Sequence, residues 1–201
     1  MSDQRPETMD ISVVPATAQR WDDLERLFGS NGAYSNCWCT FWRLKRADFN
    51  RMKGDEKKSV LKNLTAMDQV PGMLAYIEQQ PVGWCSIGPR DGFYALENSR
   101  ILKRIDDTPV WSIVCFFIAR PYRSMGVMSA LIRGSVQYAI DHGAEVIEGY
   151  PIDMQTQKLT GQKLTGCSGY MGLASAYQKA GFVKVKNASE TQLIMRYVKK
   201  D

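Results

Sequence analysis

The chain has 201 residues, 44% hydrophobic and 23% charged, an ordinary globular composition at a length that suffices for one domain with a buried core. Its longest apolar run, Ile113 to Ala119, falls far short of the roughly 20 residues of a membrane helix. The net charge of +5 is concentrated: residues 43–62 hold Arg43, Lys45, Arg46, Arg51, Lys53, Lys57, Lys58 and Lys62 against Asp48, Asp55 and Glu56.

Such a block reads as a patch for an anion or nucleic acid, or as a solvated helix and loop. No nucleic-acid motif accompanies it, so the solvated reading is preferred. The first ten residues, M-S-D-Q-R-P-E-T-M-D, are polar and lack the apolar stretch of a signal peptide. They read as a tail, with residues 11–201 as one domain. Five cysteines, an odd count, fit reduced thiols in a cytoplasmic protein.

Ile11 to Val14 reads as a strand. Thr17 can cap a helix that places Trp21, Leu24, Leu27 and Phe28 on one face, with Gly29 and Gly32 as its stop. A second helix is predicted over Asp55 to Met67, with Val60, Leu61, Leu64 and Met67 as its apolar side. Met73 to Glu78 and Val82 to Ile87 read as a hairpin around Gln79-Gln80-Pro81. A short helix is expected between Phe93 and Arg104.

Val110 to Ile118 is a continuous apolar run, as expected of a strand buried on both faces. After the turn Arg120 to Gly126, a helix carries Met128, Leu131, Ile132, Val136, Ala139 and Ile140 as one stripe and stops near Gly143. Ala144 to Gly149 follows as a strand, so this strand–helix–strand unit should be parallel. Residues 151–169 form a long polar stretch. Met171 to Ala180 reads as a helix, and Phe182 to Lys186 and Leu193 to Val198 as the last strands. The strand–turn–helix around Gly126 is an anion site in outline. The first N–H groups of a helix lack backbone partners and sit at the positive end of its dipole. Arg123 adds a forked donor.

With that order of elements the chain resembles a GCN5-related N-acetyltransferase. The family's Q/R-x-x-G-x-G/A is matched at Arg123 and Gly126, while Met128 stands where Gly or Ala is usual. Tyr177-Gln178-Lys179-Ala180-Gly181-Phe182 is similar to the family's Y-x-x-x-G-F. Cys37 to Arg43, Gly83 to Arg90 and Glu148 to Pro151 are similar to marks of a bacterial subgroup. The resemblance implies a single-domain acyl-CoA N-acyltransferase fold of the α/β class. Its twisted sheet is mixed but mostly antiparallel, with a central parallel βαβ unit and flanking helices. It also implies an N-acetyltransferase that moves an acetyl group from acetyl-CoA to a primary amine by direct attack in a ternary complex, with no metal.

By the same resemblance, the N–H groups of Met125, Gly126, Val127 and Met128, with Arg123 and the Ser124 hydroxyl, hold the pyrophosphate. The backbone of Phe116, Phe117 and Ile118 pairs with the pantetheine arm. Tyr177 would protonate the leaving thiolate, though the position reads equally as a core aromatic. No base stands out. Glu148 and Asp153 are the nearest carboxylates by topology, Glu78 and Glu97 are more remote, and a water chain needs none of them. Trp38, Trp42 and Arg43 are candidates to line the acceptor pocket, or else a packed aromatic segment. Cys37-Trp38-Cys39 lacks a second ligand pair for zinc. Cys85 and Cys115 read as core residues, Cys167 as exposed, and His142 as a helix-end residue. Two rival readings stand beside the enzyme: a regulatory module that binds acyl-CoA without turnover, and a nucleic-acid-associated protein using residues 43–62. Neither a membrane nor nucleic acid is the expected partner. Dimerisation, common in the family, stays open.

Overall fold

A computed structural model describes residues 10–67, 69–156, 158–161 and 169–200. The proposed tail, apart from Asp10, and Cys167 lie outside them. The chain forms β1 (Ser12–Pro15), α1 (Trp21–Phe28), α2 (Arg46–Arg51), α3 (Gly54–Ala66), β2 (Gly72–Ile77), β3 (Gln80–Pro89) and α4 (Tyr94–Glu97). Then come β4 (Trp111–Ile118), α5 (Val127–Asp141), β5 (Val146–Gly149), α6 (Ala174–Lys179), β6 (Val183–Asn187) and β7 (Leu193–Val198). The seven strands make one sheet in the order β1-β2-β3-β4-β5-β7-β6. Only β4 and β5 are parallel, and every other neighbouring pair is antiparallel. This is the mixed sheet with one parallel βαβ unit that the sequence predicts.

Both faces of the central strands are covered, which explains their unbroken apolar runs. On one face Met73, Ala75, Cys85, Ile113 and Phe116 pack under Val127, Leu131, Val136 and Ala139 of α5 and Tyr177 of α6. On the other, Leu74, Tyr76, Trp84, Val114 and Ile194 meet Trp21, Leu24, Leu27 and Phe28 of α1. Period-two alternation along β2 sends successive side chains to opposite cores.

Several expectations shift. The hairpin turn is Glu78-Gln79, because Ile77 pairs with Gln80. Both turn residues have positive φ, 48° and 65°, as a two-residue primed turn requires. The second predicted helix starts at Gly54 and buries Lys57, Leu61 and Thr65, while Met67 at its end is 66% exposed. Periodicity alone placed Met67 on the apolar side, but the helix has stopped by then. The short α2 was not expected: R-A-D-F-N-R has no apolar stripe, and none of its residues is buried. α6 is shorter than the predicted Met171–Ala180, since Gly172 with φ 92° cannot continue into a helix.

The basic block finds its partners mostly in rings. Arg43 lies over Phe93, Lys45 over Tyr94, Arg46 over Phe41, Lys57 over Phe49, Lys58 over Trp38 and Lys62 over Trp21, at 3.9 to 5.5 Å from the centroids. Cation–π contacts thus absorb a surplus charge that the sequence places without matching carboxylates. Lys58 also pairs with Glu25, and Arg51 with Asp48.

Gly149, the last residue of β5, has no room for a side chain. A Cβ there would enter the ring of Tyr177, which is fully buried. Gly149→Ala is expected to lower stability by about 1–3 kcal/mol, the usual cost of overpacking. A shift of less than about 0.5 kcal/mol in a urea titration, the usual scatter of surface substitutions, would contradict this packing.

Candidate active site

The parallel pairing of β4 with β5 is short. It joins Trp111 to Ile147, Ser112 to Glu148 and Ile113 to Gly149, and there it stops. β4 runs on to Ile118 without its partner, so the sheet forks. A cleft of about 590 Å³ opens at this fork. Its walls include Phe116, Phe117 and Ile118 of β4, and Arg123, Ser124, Gly126, Val127, Met128 and Ser129 of the turn and α5. Tyr170, Leu173, Ser175, Ala176 and Lys179 close the far side, and Tyr34 comes from the loop after α1. Phe116 and Val127 belong to the core under α5, whereas Phe117 packs on the α1 side, 5.7 Å from the ring of Phe28. The cleft therefore crosses the sheet from one face to the other.

The helix end in this cleft suits an anion. α5 begins at Gly126, whose φ of 84° lies in the left-handed region. No side chain caps it, and its first turn carries no acid. Space around Gly126 is open: a Cβ would meet nothing within 4 Å. Arg123 is exposed beside it, and its Nε donates to the Ile118 carbonyl at 3.1 Å. Its other guanidinium nitrogens have no hydrogen bond among the described residues. Lys179 of α6 adds a second cation on the opposite wall. Uncapped N–H groups at the positive end of a 15-residue helix, with two cations, make a site that fits a pyrophosphate. Met128 both lines the cleft and packs against the core, so the one departure from the expected motif is accommodated by partial burial. Met125 is 40% exposed and is not part of the cleft wall.

The other predicted residues are placed elsewhere. Tyr177 is fully buried at the root of the fork. Its hydroxyl donates to the Met171 carbonyl at 3.3 Å, and its ring meets Phe116 and Phe182 edge-on. Burial pushes its phenol well above the ordinary tyrosine range. Glu148 is also enclosed. It accepts from Arg90 Nη1 at 3.0 Å, Arg196 Nε at 2.9 Å and the Tyr150 hydroxyl at 2.8 Å. Asp153 accepts from the Gln155 N–H in a turn. Neither carboxylate lines the cleft. Glu97 pairs with Arg90 and Arg104, and Glu78 sits in the hairpin turn.

Trp38 stacks on Trp21 inside the α1 core. Arg43 donates to the Pro71 carbonyl at 2.8 Å and stacks on Phe93, and burial brings its guanidinium down to about 10. Trp42 packs against Phe41. None of the three reaches the cleft wall. Cys39 and Cys115 meet sulfur to sulfur at 2.8 Å in the core, and burial holds the Cys39 thiol well above the ordinary range. Among the described residues no cluster of His, Cys, Asp or Glu could hold a metal ion, and no helix is long and apolar enough to cross a membrane.

The family model for the GNAT acetyltransferases matches residues 38–158, more than half of the chain. The chain belongs to the GNAT acetyltransferase family. Solved structures agree in fold. A PaiA N-acetyltransferase from Thermoplasma acidophilum, solved with coenzyme A, is 14% identical with a TM-score of 0.51, over 95% of this chain and 100% of the other. A ribosomal-protein-alanine N-acetyltransferase from Brucella melitensis is 15% identical with a TM-score of 0.52, over 93% and 99%. At such identities the likeness concerns the fold alone. Against a GCN5-related N-acetyltransferase from Kribbella flavida, 18% identical with a TM-score of 0.43, 74% of this chain spans only 31% of the other. No curated protein matches the chain.

Within this GNAT fold one detail bears on the cofactor. The Phe116 N–H, on the open edge of β4, donates to the Tyr170 carbonyl at 2.6 Å. A pantetheine arm that pairs with Phe116 must displace that carbonyl. Sequence reasoning missed Tyr34, Tyr170 and Lys179. Tyr34 stands in a loop where Ala33, Ser35, Asn36, Trp38 and Cys39 all have positive φ, a conformation that no local pattern announces.

Proposed function

We propose that the protein is an acetyl-CoA-dependent N-acetyltransferase that acetylates a primary amine of a small molecule or peptide by direct attack in a ternary complex. The observation that carries this reading is the cleft through the forked sheet, with the uncapped N-terminus of α5 on its wall. Residues 11–201 act as one catalytic domain. The four described cysteines are free thiols, in keeping with the cytoplasm.

Acetyl-CoA supplies an activated acyl group as a thioester. The N–H groups at the start of α5, with Arg123 and Lys179, hold its phosphates. The open edge of β4 from Phe116 to Ile118 aligns its arm once the Tyr170 carbonyl yields Phe116. The amine attacks as the neutral base. Its nitrogen bonds to the acyl carbon, the C–S bond breaks, and the proton the nitrogen sheds passes through water to the leaving sulfur. No carboxylate lines the cleft among the described residues, so alignment and desolvation carry the catalysis.

Thiol release from acetyl-CoA over a panel of amines tests the reading. Arg123→Ala should weaken acetyl-CoA binding about tenfold, the loss of one charge-assisted contact. Tyr177→Phe should keep kcat within about threefold and cost about 1 kcal/mol of stability, since the enclosed hydroxyl makes a single hydrogen bond. A hundredfold fall in kcat for Tyr177→Phe at unchanged acetyl-CoA affinity would instead assign it the acid role. The occupied Phe116 N–H also suits a second reading, a module that binds acyl-CoA without turnover. That reading requires binding with no thiol release for any amine.

A further inference from the structure

Three segments of chain build the cleft, and all three lack acids. Residues 26–47, which supply Tyr34, contain no Asp or Glu, nor do residues 108–140, which supply β4, the turn and most of α5. The third, residues 169–189, runs through α6 and β6 and is likewise free of acids. The same segments hold Arg120, Arg123, Arg133 and Lys179 among others. Glu148 of β5, beside the fork, is already committed to Arg90 and Arg196.

The two ends of the cleft differ. The end on the α5 face carries the helix N-terminus, Arg123 and Lys179. The end on the α1 face is made by Phe117 and Tyr170, which pack against the α1-side core, and by Tyr34 of the loop after α1. Tyr34 is 52% exposed, a large aromatic ring held at the rim. Among the described residues that line the cleft only Arg123 and Lys179 are charged, so this end is aromatic. If phosphates occupy the α5 end, the acceptor enters from the α1 end.

Resting on the acetyltransferase reading, we infer that the acceptor is a monoamine with an aromatic or apolar body, and that Tyr34 is a specificity-determining residue that contacts this body. A polyamine, or a lysine within a basic peptide, brings a second ammonium group that would meet no carboxylate among the described residues lining the cleft. Desolvating that extra charge without a partner costs several kcal/mol. A single ammonium has an escape. Away from water its neutral form is favoured, and the neutral form is the nucleophile. Its body then covers Tyr34, Phe117 and Tyr170 and gains from apolar contact. The cleft that refuses a polycation thus also explains how transfer proceeds without a dedicated carboxylate base.

The test uses the full chain and follows thiol release with 2-phenylethylamine, spermidine and β-alanine as acceptors, with acetyl-CoA affinity measured separately by calorimetry. The expected result is a kcat/KM for 2-phenylethylamine at least a hundredfold above that for spermidine or β-alanine. Tyr34→Ala should lower kcat/KM for 2-phenylethylamine about tenfold at unchanged acetyl-CoA affinity. Tyr34→Asp should raise the relative rate with spermidine, because it supplies the missing carboxylate. A preference for spermidine or for β-alanine in the unmodified protein overturns the inference and leaves the acetyltransferase reading standing. So does acetyl-CoA binding with release by other amines but not by 2-phenylethylamine. Acetyl-CoA binding without release by any amine favours the non-catalytic module and overturns the inference. Failure to bind acetyl-CoA removes the functional reading itself, and the inference with it.

Discussion

Arg90→Met should cost the fold about 3–5 kcal/mol, the usual penalty for removing one partner from a buried ion pair. Arg90 is 1% exposed and lies just after β3. Its Nε donates to Glu97 at 2.6 Å, its Nη1 to Glu148 at 3.0 Å and to the Tyr150 hydroxyl at 2.9 Å, and its Nη2 to the Leu102 carbonyl at 2.6 Å. One guanidinium thereby ties the end of β3, the segment after α4 and the strand β5. Methionine fills the volume but satisfies none of these acceptors, and Glu148, also 1% exposed, keeps Arg196 as its one ion-pair partner among the described residues. Against a total stability of about 5–15 kcal/mol, that loss is large. Urea titration at constant slope measures it. Adding Glu148→Gln to Arg90→Met should recover part of the loss, because the carboxylate that lost one of its two arginines is gone. A loss below 1 kcal/mol for Arg90→Met would show that the network contributes little. Glu148→Gln alone should lower stability more than it lowers kcat, and the reverse result would restore Glu148 as a base.

Ser129→Asp is expected to separate binding from stability. Ser129 is the third residue of α5 and lines the cleft. A carboxylate in the first turn of a helix complements its dipole and contributes about 0.3–1 kcal/mol, so the unfolding midpoint should hold or rise. In the proposed site the same carboxylate faces the phosphates. Like charges brought together cost several kcal/mol, so acetyl-CoA affinity should fall about a hundredfold, roughly 2.7 kcal/mol. Ser129→Asn, isosteric and uncharged, should bind within about threefold of the unmodified protein. Calorimetry on the three proteins decides it. Equal affinities for Ser129→Asp and Ser129→Asn would mean that no phosphate sits at this helix end, and the proposed function would lose its main support.

Much of the fold was legible because burial leaves a mark on neighbouring residues. The run Val110–Ile118, the stripe from Leu131 to Ile140 and the glycine at 126 each record a local constraint: two covered faces, one covered face and a left-handed turn. Element boundaries drifted where no residue enforces them, as at Met67 and in α6. The cofactor wall followed from the same local logic, since strand, turn and helix are contiguous.

The acceptor side and the catalytic candidates were not legible in that way. Glu148, Asp153 and Tyr177 were named by nearness in topology or by resemblance. Which of two alternating faces a strand residue takes, and what stands opposite it, depends on partners far away in the chain. Arg90 and Arg196 claim Glu148 from positions 58 and 48 residues distant. Trp38, Trp42 and Arg43 looked like a pocket because aromatics and a cation cluster in sequence, and the core took them for the same reason. The sequence by itself determined the family, the order of elements, the anion-binding turn and the acid-free character of the three segments. Only the tertiary structure decided that those segments meet at the fork between β4 and β5, that Tyr34 stands at its rim, and that the carboxylates are spent on arginines. Composition along a segment is a local property, whereas the pairing of charges across a fold is set by which distant segments the burial of apolar surface brings together.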